Sequence, residues 1–231
     1  MRILGIESSS LVASVAVVTD DILTAEYTVN NKKTHSQTLL PMIDGMMKLL
    51  ELEPEELDAI AVSGGPGSFT GLRIGSATGK GLGLALKKPL IHVPTVDAMA
   101  YNLYGADALI CPIMDARRNQ VYTGLYHFKQ EFEVVKGSCA MDLGDLSAEL
   151  NERDERVIFL GDGVPVYRQL IGELMTVPYD FAPAQSNRQR AASVAALGAV
   201  YYREGKTETA AEHAPDYLRK PQAEREREGL E

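Results

Sequence analysis

VSGGPGSFTGLRIGSATGKGLGLALKKPL, residues 62–90, is the stretch on which the reading of this chain turns. It is dense in glycine, carries a Gly-Lys pair and lies between two apolar runs, so a phosphate loop is the first idea to test. A Walker A loop needs G-x-x-x-x-G-K-[ST]. Counting back from Gly79-Lys80, Ile74 stands where the first glycine belongs, and Gly81 replaces the hydroxyl that would bind magnesium. The dinucleotide pattern G-x-G-x-x-G also fails. Its last position is Thr70 after Gly65 and Gly67, and Leu84 after Gly79 and Gly81. There is no G-x-S-x-G nucleophile elbow.

The stretch does contain Gly71, Gly75, Gly79 and Gly83 at four-residue intervals, a stripe along one face of a helix. Each glycine costs a helix about 1 kcal/mol relative to alanine, so the four together cost roughly 4 kcal/mol. Close approach by another backbone is the usual compensation. The stripe is therefore read as a helix–helix contact, either within the chain or across a subunit interface. The loop SGGPGSFTG at the helix start is either a generic anion site made of backbone N–H groups or a tight turn that needs glycine.

Apolar periodicity organises the rest. Residues 2–7, 13–18 and 22–29 alternate as three strands, with a tight turn at Asp20-Asp21. Leu39, Leu40, Met42, Ile43, Met46, Met47 and Leu50 recur at helical spacing over 36–50, with Ser36 as the expected cap and Pro41 near the start. A buried strand at 57–62, the glycine helix at 70–86 and a strand at 89–93 follow. The second half repeats this order, with strands at 108–114, 121–127, 132–136 and 157–160 and helices at 145–152, 165–175 and 190–204. Two βββαβα units imply an α/β duplication with mixed sheets and a cleft between the halves as the default binding site. The expected divisions are an N-terminal lobe at 1–105, a C-terminal lobe at 106–205 and a charged segment at 206–231.

Composition excludes several classes. A net charge of −9 disfavours direct binding of nucleic acid. Cys111 and Cys139 lack CxxC spacing, the four histidines are scattered, and no HExxH occurs, so no metal site is read. The chain start, MRILGIESSS, lacks a signal-peptide h-region, and no apolar run reaches membrane-span length. A cytoplasmic protein without a membrane partner is expected.

ILGIESS at the start, IAVSGGPGSFTGLRIGSATGKGLGLAL, PLIHVPTVDAMA, MDARRNQVYTGLY at 114–126 and PDYLR at 215–219 together resemble the bacterial TsaB (YeaZ) family. That resemblance implies the two-lobed actin/Hsp70-like ATPase (ASKHA) fold and a role in making threonylcarbamoyladenosine in tRNA. It also implies a paralogous partner, TsaD, which transfers the threonylcarbamoyl group to adenosine 37, with the ATPase TsaE and adenylate-forming TsaC completing the pathway. TsaD carries N-H-x-x-x-H after the equivalent strand, and those histidines hold its catalytic metal. Here the two positions are Thr95 and Met99, poor ligands for a divalent ion, and His92 has no second histidine one turn away.

The resemblance thus implies a non-catalytic scaffold that dimerises with itself and with TsaD and supports TsaE docking. tRNA would bind only through the complex. The expected interface comprises Met42, Met46, Gly71, Leu72, Arg73, Gly75, Gly79, Lys80 and Gly83. No cofactor is required, and weak ATP or ADP binding at the subunit interface stays open. Two readings stand for the acids that end equivalent strands, Glu7 and Asp115. Either they face the cleft with Ser8, Ser9, Gly161, Asp162 and Gly163 and hold Mg-nucleotide, or they cap turns. ESSS and DARRN lack phosphate-loop glycines, which favours turns. Arg117 and Arg118 are either surface charge or partner contacts, and His35 is a helix-entry residue. The alternatives are an ATP-dependent, kinase-like enzyme of the same superfold and, less favoured, a glycoprotease-type peptidase.

Overall fold

The computed structural model describes residues 1–31 and 34–218. The charged run at the end of the chain, and Arg219 of the PDYLR match, lie outside the described residues.

The first half builds β1 (Arg2–Glu7), β2 (Val12–Thr19), β3 (Ile22–Asn30), α1 (His35–Leu49), β4 (Ala59–Gly65), α2 (Phe69–Leu86), β5 (Leu90–Pro94) and α3 (Thr95–Tyr101). The second builds β6 (Leu109–Asp115), β7 (Gln120–Phe128), β8 (Phe132–Asp142), α4 (Leu143–Glu152), β9 (Val157–Leu160), α5 (Val164–Leu174), β10 (Tyr179–Phe181) and α6 (Ala191–Arg203). The sheets run β3-β2-β1-β4-β5 and β8-β7-β6-β9-β10, the same order twice. In each, the first strand pairs antiparallel with the second and parallel with the fourth, as the meander-then-crossover pattern requires.

Alternation along the strands sets the layers. Leu4, Ile6, Ile60 and Val62 face α1 and pack with Leu39, Ile43, Met46 and Met47. Ile3, Ala59, Ala61, Ile91 and Val93 face the other way, onto Val194, Ala195, Leu197 and Ala199 of α6. In the second sheet, Leu109, Cys111, Ile113 and Phe159 pack on α4 and α5, while Ile110, Met114, Tyr126 and Leu160 pack on Val96, Met99 and Ala100 of α3. The layers are therefore α1 with α2, the first sheet, α6 with α3, the second sheet, and α4 with α5.

Three findings depart from the sequence reading. First, α6 lies in the second half of the chain but covers the first sheet; Glu26 of β3 accepts from Ala192 N and from Arg190, and Ser14 accepts from Ala191 N. A boundary at 105 thus separates the sheets but not the lobes. Second, α3 and β10 were not foreseen, because seven and three residues are too few to show a period. Third, Ser36 is not the cap of α1: that position is Thr34, with no side-chain cap bond.

The glycine stripe also points elsewhere than expected. All four glycines are buried against their own sheet, not a second helix. A Cβ on Gly71 would lie 2.0 Å from the Ser8 carbonyl oxygen, and one on Gly75 2.3 Å from Ser8 Oγ. One on Gly79 would meet Val62 at 2.6 Å, and one on Gly83 Leu90 at 2.4 Å. Close approach offsets the helix cost of glycine, as the pattern demanded, but the partners are β1, β4 and β5 of the same chain.

Candidate functional site

Between the lobes lies a cleft of about 810 Å³. The β1–β2 turn (Ser9, Ser10, Leu11), the approach to and start of α2 (Pro66 to Gly71), the end of β6 and its turn (Asp115 to Arg117), Asp162 and the segment Asp216 to Leu218 line it. The duplication builds two opposing turns in the same way. Glu7 Oε1 accepts from Ser9 N at 2.6 Å, and Asp115 Oδ1 accepts from Arg117 N at 2.8 Å. Both acids thus cap the turn two residues on, the reading that the missing glycines favoured.

Ser8 Oγ donates to the Gly71 carbonyl at 2.9 Å, so it fastens α2 rather than facing a ligand. Ser9 Oγ is buried and has no hydrogen-bond partner. Gly161 (φ +109°) and Gly163 serve packing: a Cβ on either would run into the Ile113 carbonyl oxygen, at 2.2 and 2.9 Å. Asp162 between them accepts from Gln189 Nε2 at 2.8 Å. Residues Arg117, Arg118 and Asn119 all take left-handed φ values, 64°, 55° and 58°. Such a run of non-glycine residues stores strain and belongs to the β6–β7 turn at the cleft rim. His35 opens α1 and pairs its Nε2 with the Ser10 carbonyl at 2.7 Å, tying helix entry to the first turn.

The cleft is acidic, with Asp115, Asp162 and Asp216 on its walls and Glu7 buried behind Ser9. Burial raises the Glu7 carboxyl above its ordinary range, and Asp162 adds to the effect. Burial raises Asp162 too, with Asp115 contributing. In both cases the native state holds a proton more readily than the unfolded chain. Their contribution is fully present below the unfolded pKa and is lost as pH rises through the raised folded value. Glu7→Gln removes this loss while keeping the acceptor for Ser9 N. The thermal midpoint at pH 7 should therefore rise by roughly 2–4 °C, about 1 kcal/mol for a chain of this size, and its decline as pH rises above the ordinary carboxylate range should flatten. A thermal unfolding series against pH reads both effects, and a lower midpoint with an unchanged slope would refute the argument.

Of the residues expected at an interface, Met46, Leu72 and the four glycines are buried in the chain's own core. Met42 is half-buried against the same cluster. Lys80 Nζ donates to the His213 carbonyl at 2.9 Å, and only Arg73, stacked 4.1 Å over Phe69, stays fully at the surface. What α1 and α2 do expose is a groove of about 650 Å³ along their seam, lined by Leu40, Ile43, Met47, Leu82 and Leu86 with Asp44 and Lys48 at its rim. Leu40, Leu49 and Leu84 are 53 %, 71 % and 68 % exposed on these helices. The two positions read against TsaD's metal histidines are closed: Thr95 Oγ1 bonds Ser63 Oγ at 2.8 Å, and Met99 is buried between the sheets.

A family model for the tRNA N6-adenosine threonylcarbamoyltransferase TsaD matches residues 23–227. The tRNA threonylcarbamoyladenosine biosynthesis protein TsaB of Bacillus subtilis is 36% identical over 228 residues, which cover 97% of this chain and 96% of that protein. This chain belongs to the TsaB (YeaZ) family. A crystal structure of an uncharacterized Pseudomonas aeruginosa protein with similarity to peptidase YeaZ matches with a TM-score of 0.81 at 25% identity, over 94% of this chain and 99% of that one. Component A of (R)-2-hydroxyglutaryl-CoA dehydratase from Acidaminococcus fermentans, at TM-score 0.50 and 11% identity over 92% and 100% of the two chains, shares the fold alone. The TsaB (YeaZ) likeness and the duplicated sheet order agree on a two-lobed actin-like fold. His35 Nε2 bonds the backbone carbonyl of the cleft residue Ser10 and not its hydroxyl.

Proposed function

We propose that this chain is a non-catalytic subunit in threonylcarbamoyladenosine synthesis, acting by heterodimerising with a TsaD paralogue through the α1–α2 face. The observation that carries the reading is the apolar groove lined by the exposed Leu40 with Ile43, Met47, Leu82 and Leu86. Apolar side chains grouped on one rimmed face of a soluble domain favour a protein partner. Thr95 and Met99 add support, because these two residues stand where the resemblance places the transferase's metal histidines. The chain would hold TsaD in a competent conformation and complete the surface on which TsaE docks, without a cofactor of its own for that role. Self-association through the same groove is the competing, weaker pairing, and tRNA contacts belong to the assembly.

The test is co-purification with TsaD, followed by a tRNA modification assay with and without this chain. Expected are a stable complex and modification that depends on the chain. Normal modification by TsaD and TsaE without it would sink the proposal. A second reading, an ATP-dependent enzyme, draws on the buried, unpartnered Ser9 hydroxyl beside the cleft acids. Carboxylates outnumber the single arginine, Arg117, in the cleft lining, so calorimetry with Mg-ATP on the isolated chain should show neither tight binding nor turnover. Micromolar binding with turnover would favour the enzyme.

A further inference from the structure

His92 and His213 lie far apart in the chain, yet the fold brings them together. His92 stands on β5. The segment after α6 returns along that edge strand: Glu208 N donates to the Leu90 carbonyl at 2.9 Å, Leu90 N donates to Glu208 O at 2.9 Å, and Asp216 N donates to Gly64 O at 2.7 Å. His213 is thereby carried beside His92, with ring centroids 5.9 Å apart. One ring nitrogen of each imidazole and one Glu208 oxygen lie within 4.8 Å of one another.

The hydrogen-bonding state of these rings points to a ligand. His213 is 1% exposed; its Nδ1 bonds Glu208 Oε1 at 2.5 Å, and its Nε2 is buried with no partner. His92 Nε2 is likewise buried without a hydrogen bond, although Asp216 Oδ2 stands 3.3 Å away. A buried ring nitrogen without a partner is costly, and two side by side are costlier. A metal ion satisfies both. A carboxylate on the far nitrogen of a ligating imidazole is the usual way such a ring is oriented. Beside the cluster, a recess lined by His92, Pro94, Tyr201, Lys206, Thr207 and Glu208 opens to solvent and provides entry.

We infer that the Nε2 atoms of His92 and His213, with a carboxylate oxygen of Asp216, form a binding site for a divalent transition ion of the zinc class, while Glu208 holds the far nitrogen of His213. Imidazole nitrogens with carboxylate oxygen suit zinc, cobalt or nickel, and unlike the calcium and magnesium class these ions favour such a mixed set. Ligand atoms around a tetrahedral zinc stand about 3.3 Å apart, given metal–ligand bonds of about 2.0–2.1 Å. Asp216 Oδ2 already stands at that spacing, 3.3 Å from His92 Nε2. The ion would clamp the returning segment onto the sheet edge. That same segment places Asp216, Tyr217 and Leu218 in the wall of the cleft, where Tyr217 stacks on Phe69 at 4.6 Å. Metal loading would therefore stiffen one side of the cleft. The Lys80 ammonium, which donates to the His213 carbonyl, places one positive charge nearby, which the Glu208 and Asp216 carboxylates offset.

The test uses the untagged full chain, stripped with chelator and titrated with Zn²⁺ by calorimetry and with Co²⁺ by absorption. One equivalent of Zn²⁺ should bind with micromolar or tighter affinity, and Co²⁺ should give the visible bands of a nitrogen–oxygen site. His92→Gln and His213→Gln should each weaken binding at least tenfold, while His127→Gln, outside the cluster, should leave it unchanged. Binding that is absent at millimolar Zn²⁺, or equal in His92→Gln, would overturn the site. So would a sulfur-to-Co²⁺ charge-transfer band; Cys111 is buried with its thiol pushed up to about 12 and is not expected to ligate. If His213→Gln does not fold, as circular dichroism would show, the partly exposed His92 and the wild-type Co²⁺ spectrum still decide the matter.

Discussion

Gly71→Ala is expected to destabilise the chain by about 3 kcal/mol or more, although alanine is the better helix former. On intrinsic propensity the exchange should gain about 1 kcal/mol. The added methyl, however, would sit 2.0 Å from the Ser8 carbonyl oxygen. That oxygen belongs to the backbone of the β1–β2 turn, which cannot swing aside as a side chain can. The turn is also held by Ser8 Oγ on Gly71 O and by Ser68 N on Ser9 O at 2.6 Å. Relief would require α2 to lift from the sheet along its length, losing contacts of the whole stripe, so overpacking outweighs propensity. Gly81→Ala is the internal control. Gly81 lies on the exposed side of the same helix, and a Cβ there would meet nothing within 4 Å. It should stabilise by about 1 kcal/mol. Urea unfolding midpoints of the two variants should move in opposite directions. A neutral Gly71→Ala would refute the packing argument. By the same reasoning Gly75→Leu or Gly79→Leu should abolish folding, not merely dimerisation.

Leu40→Glu is expected to leave the isolated chain folded and to abolish the proposed pairing with TsaD. Leu40 is 53% exposed, so a charge there costs the monomer little. It sits in the groove with Ile43, Met47, Leu82 and Leu86. Burying a carboxylate among them in a complex would leave it unpaired, a loss typical of interface hot spots, about 2 kcal/mol or more, which is a drop of roughly 30-fold in affinity. Loss of co-purification, with an unchanged thermal midpoint and a fall in tRNA modification, would support the α1–α2 face. Retained pairing would move the interface elsewhere on the molecule.

Much of the architecture is legible in the sequence. Strands β1, β6 and β9 and helices α2, α5 and α6 fall within one or two residues of the expected spans, because two-residue and four-residue periods are local properties of the chain. The duplicated order implied the duplicated sheets for the same reason. The β8 strand runs to Asp142, well past the expected Lys136, because Gly137, Ser138 and Cys139 carry little strand signal and pairing with β7 extends it. At the cleft, the turn-capping roles of Glu7 and Asp115 followed from the absence of glycine around them. The partnerless hydroxyl of Ser9 did not, since its burial depends on Gly67 and Ser68, which a distant part of the chain brings against it.

Alone, the sequence determined where this chain alternates and where it spirals, that its halves repeat, and that residues 62–90 cannot hold phosphate as a Walker loop does. It also determined that something must press against the glycine face of α2. What presses there was a tertiary decision: the face could have met a helix of a second subunit, but the β1 turn and strands β4 and β5 fill it first. Tertiary structure also placed α6 on the first sheet and brought His213 to His92. Both depend on where a distant segment returns, and spacing along a chain carries no information about that return; only the edge hydrogen bonds of β5 and the packing between the sheets set it.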